Sequence, residues 1–235
     1  MMWRGGATTM QRVRYAVAAC AVLAGCGSSG ARAVSANDVV APADARDDGR
    51  GDRDWRRVAT PADRARLRGW RGAWVAALAQ VDPREIGHDS ALFDPDRSLV
   101  DPLPPAGAYR CRTFKLGAHD GAGPSFASSS WFACRIGAQA GSDAGPDAGA
   151  NVVSLVKLDG SQRPVGKIYA DTDARAVFLG TMELGDETRP MRYGHDVNRD
   201  MAGLIERIGA QRWRVVLPYP RFESVLDVVE LVPSA

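Results

Sequence analysis

The sequence predicts a mainly β protein: an antiparallel meander of about eight strands, closing into a barrel, with one N-terminal amphipathic helix packed on it. Three observations carry that expectation. From Tyr109 onward the chain alternates between short runs rich in Val, Ile, Phe and Trp and turn signals such as Asp159-Gly160 and Gly209-Ala210. No long helical segment separates these runs, which argues against βαβ units. A single helical period precedes them, between Thr60 and Val81.

The chain opens on a targeting segment, residues 1–25. Arg4, Arg12 and Arg14 form a positive region without acids, and the apolar run 15–23 is too short to span a bilayer. Leu23-Ala24-Gly25-Cys26 has the form of a lipobox, in which Cys26 is lipidated and becomes the first mature residue. The alternative is an ordinary secretory signal with an incidental cysteine. No Arg pair precedes the apolar run, which favours Sec export. Resemblance to bacterial lipoproteins implies two or more acyl chains, enough for stable anchoring. Gly27 after Cys26, rather than Asp, points to the periplasmic face of the outer membrane.

Removing Arg4, Arg12 and Arg14 changes the formal charge from +2 to −1, so the basic pI belongs to the precursor. The mature chain has no basic stripe of the kind that nucleic acid requires. Residues 26–56 are mostly Ser, Gly, Ala, Asp and Arg without apolar period, and read as a disordered tether. A flexible coil of that length spans about 30 Å root-mean-square.

Residues 57–235 are expected to form one domain. Thr60 at N-cap, Pro61 at N1 and Asp63 at N3 start a helix. Leu67, Trp70, Trp74, Leu78 and Val81 form its apolar stripe, and Asp82-Pro83 ends it. The five prolines between 83 and 107 mark an irregular, partly helical connector. Strands are expected over 109–116, 129–137, 152–158, 165–170, 176–184, 203–208, 213–217 and 225–232. Residues 138–150 are low-complexity; Asp143 and Asp147 lack a calcium-ligand pattern, and a hairpin loop is expected there.

Of four cysteines, Cys20 leaves with the signal and Cys26 takes the lipid. Cys111 and Cys134 remain, in a compartment that permits a disulfide. If 111 faces 134 in a wide hairpin, 116 faces 129 and 117–128 form the loop. Two free buried thiols are the alternative. In that register Arg110, Arg112 and Arg135 share the face opposite the sulfurs. They make an anion site if that face lines a lumen, and solvated charges if it faces water. Arg163 is expected near a hairpin tip, as a further ligand contact.

Several blocks together resemble a domain-of-unknown-function family of short bacterial envelope proteins: 107–117, 160–164, 177–181, Tyr193-Gly194, and 202–209 with Arg212-Trp213-Arg214. The likeness covers roughly residues 55 to 233. It implies no activity. The strand pattern is also similar to calycin-like barrels, which include lipocalins and small periplasmic protease inhibitors with one disulfide.

Catalytic motifs are weak. His88, His119 and His195 have no metal-ligand spacing. His119-Asp120 and His195-Asp196 could pair only if a loop brings neighbours to one side. Gly123-Pro124-Ser125-Phe126-Ala127 misses the nucleophile-elbow pattern. The stretch 160–168 misses the phosphate-loop spacing. No cofactor or metal is expected. The leading expectation is a non-enzymatic, lipid-anchored binding module for a small amphipathic ligand or an envelope protein. The alternatives are a periplasmic protease inhibitor, and a hydrolase using Ser125 or His195.

Overall fold

The computed structural model describes residues 54–121, 123–138 and 153–234. The signal segment with Cys26, residues 26–53 of the tether, and nearly all of the low-complexity run with Asp143 and Asp147 lie outside the described residues. The order is α1 (Trp55–Val58), α2 (Pro61–Arg68), α3 (Trp70–Leu78), α4 (Pro83–Ile86), α5 (Ser90–Phe93), β1 (Gly107–Ala118), β2 (Phe126–Ser128), β3 (Phe132–Ala138), β4 (Val153–Lys157), β5 (Gln162–Ala170), β6 (Ala176–Leu184), β7 (Asp200–Gly209), β8 (Arg212–Pro218) and β9 (Ser224–Pro233).

The sheet closes. Eight antiparallel strands run β1-β3-β4-β5-β6-β7-β8-β9, and β9 pairs back on β1 from Ala118↔Ser224 to Tyr109↔Pro233. The extra strand, β2, covers the second half of β1 where β3 has peeled away. Closure leaves no long exposed edge.

Period-2 alternation sorts the side chains. Tyr109, Cys111, Cys134, Ile136, Leu155, Ile168, Phe178, Ile205, Trp213, Val215, Leu217, Val229 and Leu231 point inward and form one core. Gly166 and Gly180 face each other across β5 and β6 beside the Phe178 ring. A Cβ on either would stand within 2.7 Å of that ring and 2.4 Å of a backbone oxygen, so only glycine fits. The interior is therefore filled: its cavity, beside the two cysteines, is about 10 Å³. That is room for one water at most.

A second core lies outside the barrel. Leu67, Trp74, Ala77, Val81, Leu92 and Phe93 pack on Phe114, Leu116, Val177, Leu179, Leu204, Val216, Leu226 and Val228. Strands β7, β8 and β9 are consequently buried on both faces, whereas β3 to β5 keep a solvent-facing side.

Two expectations are corrected. The helix read as continuous from Thr60 to Val81 is two helices, broken at Gly69 and ending at Leu78. The Tyr219 ring packs against Gly69, where any Cβ would stand 3.2 Å from it. The hairpin register is shifted by two residues: Cys111 faces Phe132 and Tyr109 faces Cys134. A shift of two keeps every side chain on its face. The Cys111–Cys134 disulfide forms diagonally, with Cα atoms 5.9 Å apart.

Candidate functional site

The shift by two leaves Arg110, Arg112 and Arg135 together, opposite the sulfurs, on the outside of the barrel. This wall, made by the start of β1 with β3, β4 and β5, is the side that the helices do not cover; they pack on β1, β7, β8 and β9. Its outward residues include Trp131, Ala133, Arg135, Val156, Val165 and Lys167. Strands β3, β4 and β5 contain no Asp or Glu.

Trp131 is the wall's centre. The Arg110 guanidinium lies 4.9 Å from its ring centroid and that of Arg112 lies 4.6 Å away. Such stacking is worth about 0.5–1 kcal/mol at an exposed site and holds both forks in fixed planes. Arg112 Nε also donates to Glu230 Oε2 at 2.6 Å, and Arg212 holds the other Glu230 oxygen at 2.6 Å. Arg110, Arg135 and Lys167 have no carboxylate partner among the described residues. Trp131 is 37% exposed and Leu158, one strand over, 48%. Guanidinium forks beside an exposed aromatic suit planar anions such as carboxylate and phosphate. Trp131 was legible in advance: it shares the outward parity of Ala133 and Arg135.

Arg163 behaves differently. It reaches Glu183 and donates to the carbonyls of Gly160, Leu184 and Glu187 at 2.9–3.0 Å. It clamps two turns together and has little left for a ligand. Ser125 accepts the Gly117 amide through its carbonyl, and no hydrogen bond joins it to a histidine among the described residues. His119 Nδ1 lies 3.0 Å from Asp120, both exposed at a loop tip. His195 takes part in a turn through its amide, which donates to Arg192 O. No hydrogen bond joins Ser125 and His195 among the described residues.

The model for a domain of unknown function, DUF4893, matches residues 55–231. The chain belongs to the DUF4893 family. No curated protein and no solved structure matches it. The DUF4893 span begins where α1 begins and ends inside β9, so it takes in the helices and the whole barrel.

The DUF4893 domain also holds a buried polar cluster that the sequence did not suggest. Asp63, inaccessible to solvent, caps α2 with Thr60 and accepts from the Tyr193 hydroxyl at 2.5 Å; it also pairs with Arg66. Arg66 reaches on to the Asp200 carbonyl at 3.0 Å. Burial, with Asp63 nearby, raises the pKa of the Asp200 carboxyl. Its Oδ1 accepts the Gly194 amide at 2.9 Å, whereas Oδ2 and the Thr181 hydroxyl, on facing residues of β6 and β7, are buried without partners.

That arrangement sets a pH dependence. With its pKa above the unfolded value near 3.8, Asp200 binds more proton in the folded state, so its contribution weakens as pH rises through that window. Asp200→Asn keeps the acceptor for Gly194 and offers an amide donor toward Thr181. Its urea midpoint is expected to match or exceed the parent's at pH 7, with the advantage shrinking below pH ~4. An equal loss at every pH would contradict this account.

Proposed function

We propose that this chain is a lipid-anchored, non-enzymatic module of the bacterial envelope that holds an anionic partner against the outside of its barrel. The observation that carries the reading is the uncovered wall: Arg110, Arg135 and Lys167 without ion pairs among the described residues, a partly exposed Trp131, and no carboxylate on β3 to β5. The interior offers no rival site, because a cavity of about 10 Å³ is far below the several hundred Å³ of ligand pockets. A small ligand would thus bind outside as well. The shallow groove of about 450 Å³ lined by Val100, Asp101, Leu103, Thr172 and Asp173 carries the opposite sign, with two carboxylates.

The lipobox supplies the address and the wall the grip. A partner confined to the same membrane meets the tethered domain at high effective concentration, so a weak contact suffices. The test is made with the full-length chain in cells. A photo-crosslinking residue at Ala133 is expected to form an adduct with an anionic protein or lipid. One at Val75, 66% exposed on the helical side, is expected to form none. Arg110→Glu with Arg135→Glu removes the adduct without moving the melting midpoint, and Cys26→Ser releases the chain from membranes. Equal labelling from both positions, or an adduct that survives charge reversal, would rule the wall out.

A further inference from the structure

The groove between the connector and the β5–β6 turn is fixed in shape. The Ser98 hydroxyl donates to Ala174 O at 2.6 Å, and the Leu99 amide donates to Arg207 O at 2.8 Å. These bonds hold Val100, Asp101 and Leu103 on one side and Thr172 and Asp173 on the other, around about 450 Å³. Val100 and Leu103 are exposed there. The neighbouring charges are engaged elsewhere. Asp171 pairs with Arg56 at 2.7 Å and Arg175 with Glu206 at 2.6 Å. The Arg207 guanidinium donates to the carbonyls of Gly209 and Ala210. Asp101 and Asp173 are exposed and have no ion pair among the described residues, and no basic residue lines the groove.

Groove and wall are opposites in charge and alike in the rest. The groove holds carboxylates without a base, and strands β3 to β5 of the wall hold bases without a carboxylate. Each mixes its charge with exposed apolar side chains, Val100 and Leu103 in the groove, Trp131 and Leu158 on the wall. Arg110 pairs with Ala133 and Ala108 with Arg135, so Arg110 and Arg135 are diagonal neighbours on one face. We propose that the anionic partner of the wall is a second copy of this chain, whose groove receives Arg110 and Arg135 on Asp101 and Asp173 while Trp131 covers Val100 and Leu103. This rests on the wall as the binding surface and names its occupant. Opposite charges on facing surfaces speed encounter and fix register. Confinement of both copies to one membrane, as lipidation at Cys26 would impose, raises their effective concentration. The two surfaces differ, so the contact is heterologous. Each pair leaves one wall and one groove unused, and copies add in a row or close into a ring.

The experiment uses the full-length chain in cells, with a photo-crosslinking residue at Ala133 and the adduct mapped by mass spectrometry. The expected product is a covalent dimer joined to residues 98–103 or 171–175 of the second copy. Asp101→Asn with Asp173→Arg lowers its yield about tenfold or more, as does Arg110→Glu with Arg135→Glu, and all four changes in one chain restore it. Asn tolerates the left-handed backbone of Asp101, with φ of 59°, so the groove variant should keep the parent melting midpoint. A dimer that survives the groove variant, or one that the combined changes fail to restore, would overturn the proposal. An adduct with a different protein or with lipid, lost on Arg110→Glu with Arg135→Glu, would overturn it and leave the wall reading standing. The absence of any adduct would overturn both.

Discussion

Arg214→Ala is expected to lower the unfolding free energy by about 3–5 kcal/mol, the range for breaking a buried ion pair. Arg214 and Glu206 face each other across β7 and β8, and both are inaccessible to solvent. Four hydrogen bonds leave the Arg214 guanidinium, one to Glu206 Oε2 at 2.8 Å and three to the carbonyls of Leu92, Asp94 and Arg97 at 2.7–3.0 Å, and Nη2 also lies 2.6 Å from Glu206 Oε2. Trp74 stacks on the same group, 5.1 Å away. Truncation would leave three carbonyls unpaired and Glu206 with Arg175 alone. Arg214→Lys should recover little, since three donors at one point cannot replace a planar fork. Because the carbonyls belong to the connector, residues 90–99 should become sensitive to protease before the barrel unfolds. Urea unfolding with limited proteolysis reads both; a loss under 1 kcal/mol with an intact connector would mean that the pair contributes only packing.

That ion pair also marks where the sequence stopped being readable. The strands were legible because β3 to β5 alternate between inward apolar and outward polar residues, as in Ala133-Cys134-Arg135-Ile136. Alternation alone would send Glu206 and Arg214 to water. They are buried because the helices and connector cover β7 to β9, and no local signal tells which wall of a barrel is covered. Closure was inferred from edge avoidance, but the joining of β9 to β1 is a contact across more than a hundred residues that no periodicity encodes. The packing at Gly69 was hidden for a similar reason: the Tyr219 ring that lies against it arrives from the other end of the chain. Faces, by contrast, survive errors of register that are multiples of two. Arg110, Arg112 and Arg135 therefore share one face and Cys111 still reaches Cys134, although the expected register of 111 opposite 134 is off by two.

Removing the disulfide with Cys111→Ala and Cys134→Ala is expected to lower stability by about 3 kcal/mol in the chain-entropy model. The bridge closes a loop with a sequence separation of 23 residues, which contains β2 and the exposed tip at His119. Native contacts at both cysteines come from other strands as well: Cys111 pairs with Leu231 of β9, and Cys134 with Lys157 of β4. The barrel should therefore still close without the bridge, and most of the loss should come from a freer unfolded chain. Both sulfurs are buried, so alanine leaves only a small void, whereas serine would bury two hydroxyls and destabilise further. The signature is a lower urea midpoint with a steeper slope, because the reduced chain exposes more surface on unfolding. Native-state alkylation gives the complementary reading: no added mass on Cys111 or Cys134 in the oxidised protein, and two additions after reduction and unfolding. A double variant as stable as the parent, with unchanged slope, would place the stabilisation of this hairpin entirely in its β9 and β4 neighbours.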